Sequence, residues 1–384
     1  GTVVNGGSAA GFYTLVLTGT NTGENMLAPS LTTNNSGGFY LTKTNSGRWI
    51  LSGNNIYTFD TTIKGGVLQL NSTNALPGGI GTTGGTTELH LNGGVVGLGN
   101  GDFSRGLGTG VTQVQFDGSG GFAAYGAGRA VNLGGNTTGV TWASGSFVPD
   151  GSAFILGAGS ADYTVDFQNP IALSGAARTV QVDDGSAAVD AKLSAILTGT
   201  GVSGLTKTGQ GTLELTATNT YAGATVINAG RLLVNGVTSG QSNFIVNIGG
   251  TLGGTGTVGL ASGRAVTVET GGAIAPGAGV GTLSVSGDFV LGENARYDWE
   301  YESATGDVVS ITGILQLPTS ATVTVIPVSG VPPSPATLFT AGSLTGATDL
   351  SGWTVTGAPG YTVEIVTTNV ILVPAPGGTV ISIR

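Results

Sequence analysis

A chain of 384 residues without a single cysteine has no disulfide, no cysteine-ligated zinc and no thiol catalysis open to it. Its 12 Lys and Arg against 21 Asp and Glu leave a net charge of −9, and the basic residues stand singly, which excludes the cationic stripe that a nucleic acid needs. Seventy-two glycines with only 9% charged but 39% hydrophobic residues are too apolar for a disordered tail and fit many short strands joined by tight turns. No stretch reaches the roughly 18 consecutive apolar residues of a spanning helix. The chain starts at Gly1 with no charged-then-apolar leader, so it reads as a mature or trimmed form.

In chain order, residues 1–40 are rich in Gly, Thr and Asn and read as an N-terminal cap or edge strands, because a stack of strands left open exposes unpaired backbone. From residue 41 the text alternates with period two. "ELHLN" places Leu89 and Leu91 on one side, "TQVQFDG" does so with Val114 and Phe116, and "DYTVDFQN" with Tyr163, Val165 and Phe167. Leu213 and Leu215, Val266 and Val268, and Leu283 and Val285 follow the same rule. Each run is short and bounded by Gly, Asn or Asp, and a sandwich, a barrel and a solenoid are all compatible with it.

A repeat separates these. Residues 41–71 align without a gap on residues 205–235: Leu41-Thr42-Lys43-Thr44 on Leu205-Thr206-Lys207-Thr208, then Gly47 on Gly211, Leu51 on Leu215, Asn55 on Asn219, Tyr57 on Tyr221, Thr61 on Thr225, Ile63 on Ile227, Gly66 on Gly230 and Leu68 on Leu232. Self-similar units of this size bury their apolar faces only against their neighbours, the signature of a coil of stacked parallel strands. Asn55 and Asn219 are read as turn residues tolerant of the left-handed region, and Gly66 and Gly230 as the next corner. Lys43 and Lys207 hold matching positions and read as part of the repeat rather than as a catalytic pair.

The phrase from Leu205 to Asn235 resembles the passenger-associated transport repeat, or autotransporter-associated β-strand repeat. The copy at 41–71 departs from it with Asn45 for Gly, Trp49 for Leu and Phe59 within "TFD". The resemblance implies an all-β fold, a right-handed parallel β-helix (β-solenoid) with a C-terminal β-subdomain or cap, exported to the bacterial surface or beyond. It does not imply one activity, since passengers of this kind include adhesins, matrix components and enzymes. An autotransporter ends in a membrane β-barrel, and the text after residue 285 is too short for one. "VPAPGG" at 373–378 shares only its opening with the C-terminal sorting signals of free-standing repeat proteins.

The solenoid is expected over 41–285, with rungs of roughly 20–25 residues. From 286 glycine thins, "RYDWEYES" and "ATVTVIPVSGVPPSPATLF" appear, and 286–384 reads as a C-terminal β-subdomain or cap.

The chemistry-bearing residues are few. His90, the only histidine, alternates with Leu89 and Leu91 and is expected to face solvent as an ordinary strand residue. Asp298, Glu300 and Glu302 share one strand face opposite Tyr297, Trp299 and Tyr301; three carboxylates could hold calcium, but the spacing is that of no calcium loop and the aromatics suit a core. Asp183-Asp184 before Gly185 reads as a turn, Trp49, Trp142, Trp299 and Trp353 as buried, and the Gly-x-Gly fragments lack the strand-turn-helix setting of a phosphate loop. No catalytic, cofactor-binding or metal-ligating residue is assigned, and no cofactor is expected. The expected role is that of an extracellular structural or adhesive protein. Its partner is expected to be itself, joined end to end through the strand-like segments "GTVVNGG" and "TVISIR"; a glycan-binding or glycan-cleaving passenger is the alternative.

Overall fold

The short alternating runs become single strands, and each strand pairs in parallel with one from the next pass of the chain. The computed structural model describes residues 2–4, 12–33, 38–303 and 305–376, and no helix occurs among them. Parallel in-register pairing with rungs of about 20 residues or more makes this a parallel β-solenoid. The chain divides into two units, one of Gly1–Ser174, Arg178–Leu197 and Gly209–Leu213, the other of Gly175–Ala177, Thr198–Thr208 and Glu214–Arg384.

In the first unit one sheet runs through Phe12–Leu17, Gly38–Lys43, Thr61–Ile63, Leu89–Leu91 and Gln113–Phe116. Its register stacks Leu41, Thr61, Leu89 and Val114 in one column and Lys43, Ile63, Leu91 and Phe116 in the next, all of them buried. A second sheet runs from Asn25–Leu27 through Arg48–Leu51, Gly66–Leu70, Gly94–Leu98 and Gly120–Ala124 to Ala153–Gly157, with Leu51, Leu70, Leu98 and Ala124 in one column. A third joins Arg129–Val131, Val165–Phe167 and Ala191–Leu193. Phe116, Trp142, Phe147, Phe154 and Phe167 meet edge-on or stacked inside, and each buried side chain of this size stabilises by roughly 1.5–3 kcal/mol. Outside the second sheet Val67, Val95, Ala123 and Ile155 form a smaller apolar cluster with Tyr125, Ala158 and Ala161.

In the second unit the columns are Leu205, Thr225, Phe244, Val266, Phe289 and Leu315; then Leu232, Leu252, Ile274, Tyr297, Val323 and Val355; and Asn219, Thr238, Val258, Val285 and Ile311. The third of these sheets ends differently: Asn369–Pro374 pairs antiparallel with both Ala336–Thr340 and Tyr361–Val366, so a hairpin covers that edge.

Parallel pairing extends on both sides of 41–285. Phe12–Leu17 pairs with Gly38–Lys43, Thr2–Val4 pairs with Ser30–Thr32, and parallel rungs continue to Thr354–Thr356. Parallel pairing carries on across residue 286, where Tyr297 and Trp299 are buried on the inward face and Tyr297 continues the column of Leu252 and Ile274, before the antiparallel strands near the C-terminal end.

The repeat copies are corners held by polar side chains. Gly66 and Gly230 have φ of 61° and 65°, as their place in the repeat predicts. Asn55 and Asn219 correct the reading made of them: neither has positive φ, and each is only 1% exposed. Asn55 accepts the N–H of Leu31 at 2.8 Å and donates to the carbonyl of Ala75 at 2.7 Å, so its side chain joins successive rungs beside the backbone bonds of Asn55 and Ile56 to Asn74 and Leu31. Tyr57 and Tyr221 are wholly buried, each with its hydroxyl 2.6 Å from the Oγ1 of Thr61 or Thr225, and burial pushes both phenols above their ordinary pKa. Lys43 and Lys207 are also wholly buried. The three protons of the Lys43 ammonium go to the carbonyls of Thr44, Asn45 and Gly65 at 2.7, 2.8 and 2.9 Å, and burial lowers its pKa to about 8. Lys207 donates to the carbonyls of Thr208 and Ala229.

Candidate functional site

Register brings together residues that the sequence holds far apart. Thr61 pairs with Leu89 and Thr62 with His90, so Asp60 and Glu88, each one residue earlier, lie on adjacent rungs. His90 pairs in turn with Gln115, two residues before Asp117. The result is a histidine among three carboxylates on the outer face of the first unit. His90 Nδ1 is 2.8 Å from Asp117 Oδ2, and Nε2 is 3.6 Å from Glu88 Oε2. Asp60 accepts the backbone N–H of Glu88 through Oδ1 at 3.2 Å, and Gln115 donates to Asp117 Oδ1, so neighbouring groups fix two of the three carboxylates.

The side chains of His90 and Glu88 are 21% and 13% exposed, and Glu88 Oε1 is a buried oxygen with no hydrogen-bond partner. Burial raises the Glu88 carboxyl above its ordinary pKa, His90 opposes this, and the charges of Asp60 and Asp117 add to it. Asp60, Glu88 and His90 each offer a ligand atom within 4.8 Å of the others. His90 therefore does not simply face solvent. The alternation of Leu89, His90 and Leu91 places it outward correctly, but its partners lie on the neighbouring rungs. Aligning "DTTI", "ELHL" and "QVQFD" by their apolar positions is the signal that finds them.

The strand Ala295–Glu302 has the predicted faces: Tyr297, Trp299 and Tyr301 are buried, Asp298 and Glu300 half-buried and Glu302 exposed. The acids do not converge on a point. Asp298 accepts from Arg296 Nε at 2.7 Å, and Glu300 keeps one buried oxygen without a partner. Beneath them Asp307 is completely buried, and its carboxylate accepts the N–H groups of Gly281 and Glu300 at 2.7 and 2.9 Å. Its backbone carbonyl accepts from the hydroxyl of Tyr297 and the indole of Trp299. Burial raises the Asp307 carboxyl to about 7 against the pull of these amides and of Arg231. Sequence reasoning did not single this residue out.

Trp142, Trp299 and Trp353 are buried, whereas Trp49 is half-buried and its indole donates to the Thr18 carbonyl at 2.9 Å. Asp183 ends a strand, accepts from Gln181 at 2.8 Å and, with Arg48, Ser46 and Ser160, lines a cavity of about 230 Å³. A further buried cation, Arg105, donates to the carbonyls of Gly79, Thr87 and Pro77, its pKa lowered by burial to about 10. The segment Thr379–Arg384 lies outside the described residues, as does the first terminal segment apart from Thr2–Val4.

The passenger-associated-transport-repeat is matched twice, over residues 41–70 and 205–234. The chain is 43% identical over 100 residues to an extracellular serine protease of Serratia marcescens, an alignment covering 26% of this chain and 9% of that protein. It is 43% identical over 96 residues to the adhesin BmaC autotransporter of Brucella suis biovar 1 (strain 1330), covering 25% of this chain and 2% of that one. The aligned parts span less than a tenth of the length of either relative.

Proposed function

We propose that this chain is a passenger-type β-solenoid displayed outside a bacterial cell, where it serves as a structural and adhesive element rather than an enzyme. The observation that carries this is the pair of repeat corners, whose Lys, Asn, Tyr and Thr are spent on backbone carbonyls and on one another, so that the repeated polar residues build the coil and leave nothing for chemistry. The relatives, one named as extracellular and one as an adhesin, support the location and the role. His90, the one imidazole, has carboxylates at both ring nitrogens; a protease base would instead face a seryl hydroxyl. Immunogold labelling of intact cells, together with retention of the purified chain on host matrix and on cell surfaces, tests the reading. Labelling confined to the cell interior overturns it.

Self-association through terminal strands is the partner this reading favours, because an exposed parallel edge accepts another strand. Negative-stain microscopy at high concentration should show end-to-end assemblies, and monodisperse particles alone would count against them. The glycan-binding alternative rests on a different observation, the outward rings at this corner: Tyr40 stacks on Phe59 with centroids 4.9 Å apart, and Phe12, 76% exposed, meets Phe59 edge-on at 5.2 Å. Retention on a polysaccharide panel that is lost in Phe12→Ala would favour it.

A further inference from the structure

We propose that Asp60, Glu88 and His90 form a binding site for a divalent first-row transition metal such as zinc, with Asp117 as the carboxylate that orients the imidazole. The argument begins with the tautomer. Asp117 Oδ2, 2.8 Å from Nδ1, accepts a hydrogen bond from the N–H at that position, which leaves the Nε2 lone pair directed toward Glu88. A lone pair facing a carboxylate oxygen at 3.6 Å is two acceptors confronting each other, and a cation between them removes the conflict.

A hydrogen bond from Nε2 to Glu88 is the rival arrangement, and the distance argues against it. A charge-assisted N–H to carboxylate bond closes to about 2.7–2.9 Å. Four ligands at about 2.0–2.1 Å around a tetrahedral ion instead sit roughly 3.4 Å apart, close to the 3.6 Å seen. The second sign is Glu88 Oε1, a fully buried oxygen with no donor to satisfy it, in a place where an unpaired carboxylate oxygen is costly. Asp60 completes the set with all ligand atoms within 4.8 Å, and its Oδ1 is already positioned by the Glu88 N–H. One imidazole and two carboxylates suit zinc, manganese or iron(II) better than calcium, which takes six to eight oxygens. The Asp117–His90 pair is the outer-sphere arrangement that such ligands use.

The composition makes the test unusually clean, since the chain has one histidine and no cysteine. Calorimetric titration of the metal-stripped chain with zinc and, separately, manganese should show one site per chain, and the signals of the single imidazole in NMR should shift or broaden with the same stoichiometry. His90→Gln and Glu88→Gln should each weaken binding by at least tenfold, and Asp117→Asn by about 10–100-fold. Circular dichroism and the unchanged melting of the metal-free variants would show that they remain folded. No binding of either metal at millimolar concentration overturns the proposal. So does binding that survives His90→Gln, or an imidazole that NMR shows protonated at neutral pH and indifferent to metal.

Discussion

The two repeat copies share one set of corner residues and differ around it, and the differences separate what the coil needs from what it tolerates. Lys43 and Lys207, Asn55 and Asn219, Tyr57 and Tyr221, and Thr61 and Thr225 are identical and buried in both. At the tight turn Asn45 has φ 56° where Gly209 has 74°, so both take the left-handed turn, but their surroundings differ. A Cβ on Gly209 would stand 2.2 Å from the Val182 carbonyl, whereas the Asn45 side chain has room to donate to Thr18 Oγ1 at 3.1 Å. Where the second copy has Gly223, with a Cβ position 2.5–2.6 Å from the backbone of Ser203 and Gly204, the first has Phe59 packed outward on Tyr40 and Phe12. The corner is fixed from within; the outer surface of each copy is free to diverge.

The largest effect should come from breaking what the copies share. Lys43→Ala and Lys207→Ala should each cost about 3–4 kcal/mol in urea unfolding, through lost packing and buried carbonyls left without donors, and by similar amounts in the two copies. Exchanging the turn residues should be asymmetric. Gly209→Asn should cost about 3 kcal/mol because the clash is with backbone, and Asn45→Gly should stay within about 0.5 kcal/mol. Equal costs for the two exchanges would show that the turns are interchangeable after all. Tyr57→Phe and Tyr221→Phe should each cost about 1–2 kcal/mol, the price of one buried hydroxyl left alone.

A contrast of another kind, in pH, lies outside the copies. A carboxyl held at about 7 instead of 3.8 is favoured in its protonated form by the fold. The contribution of Asp307 to stability is therefore fullest below about pH 4, falls as the pH rises toward 7, and is level above that. Urea midpoints of wild type and Asp307→Asn measured across this range should differ by an amount that changes with that sign, and a constant difference would remove the assignment.

The period-two alternation and the repeat carried the solenoid, down to the buried aromatics of Ala295–Glu302, because burial on one strand face is written locally. The polar interior was less legible. A buried Asn that spans rungs has the same letter as a turn Asn, and nothing beside Asn55 in the sequence announces the Leu31 amide and the Ala75 carbonyl it joins. The surroundings of His90 depend on rung lengths. Asp60 and Asp117 reach it only because the chain returns in the register that pairs Thr62 with His90 and His90 with Gln115. Rung length is set by loops whose sequence carries no period.

Only 12 residues of this chain are basic, the kind a trypsin-like enzyme cuts after. The fold withdraws several of them: Lys43, Lys207 and Arg105 are fully enclosed, and Arg48 and Arg178 nearly so. Cleavage requires an extended, accessible segment about the basic residue, and at the repeat corners exposing one means opening a rung. The same lysines that tie the corners shut thus hide two cleavage sites, so digestion at either one reports the opening of its rung.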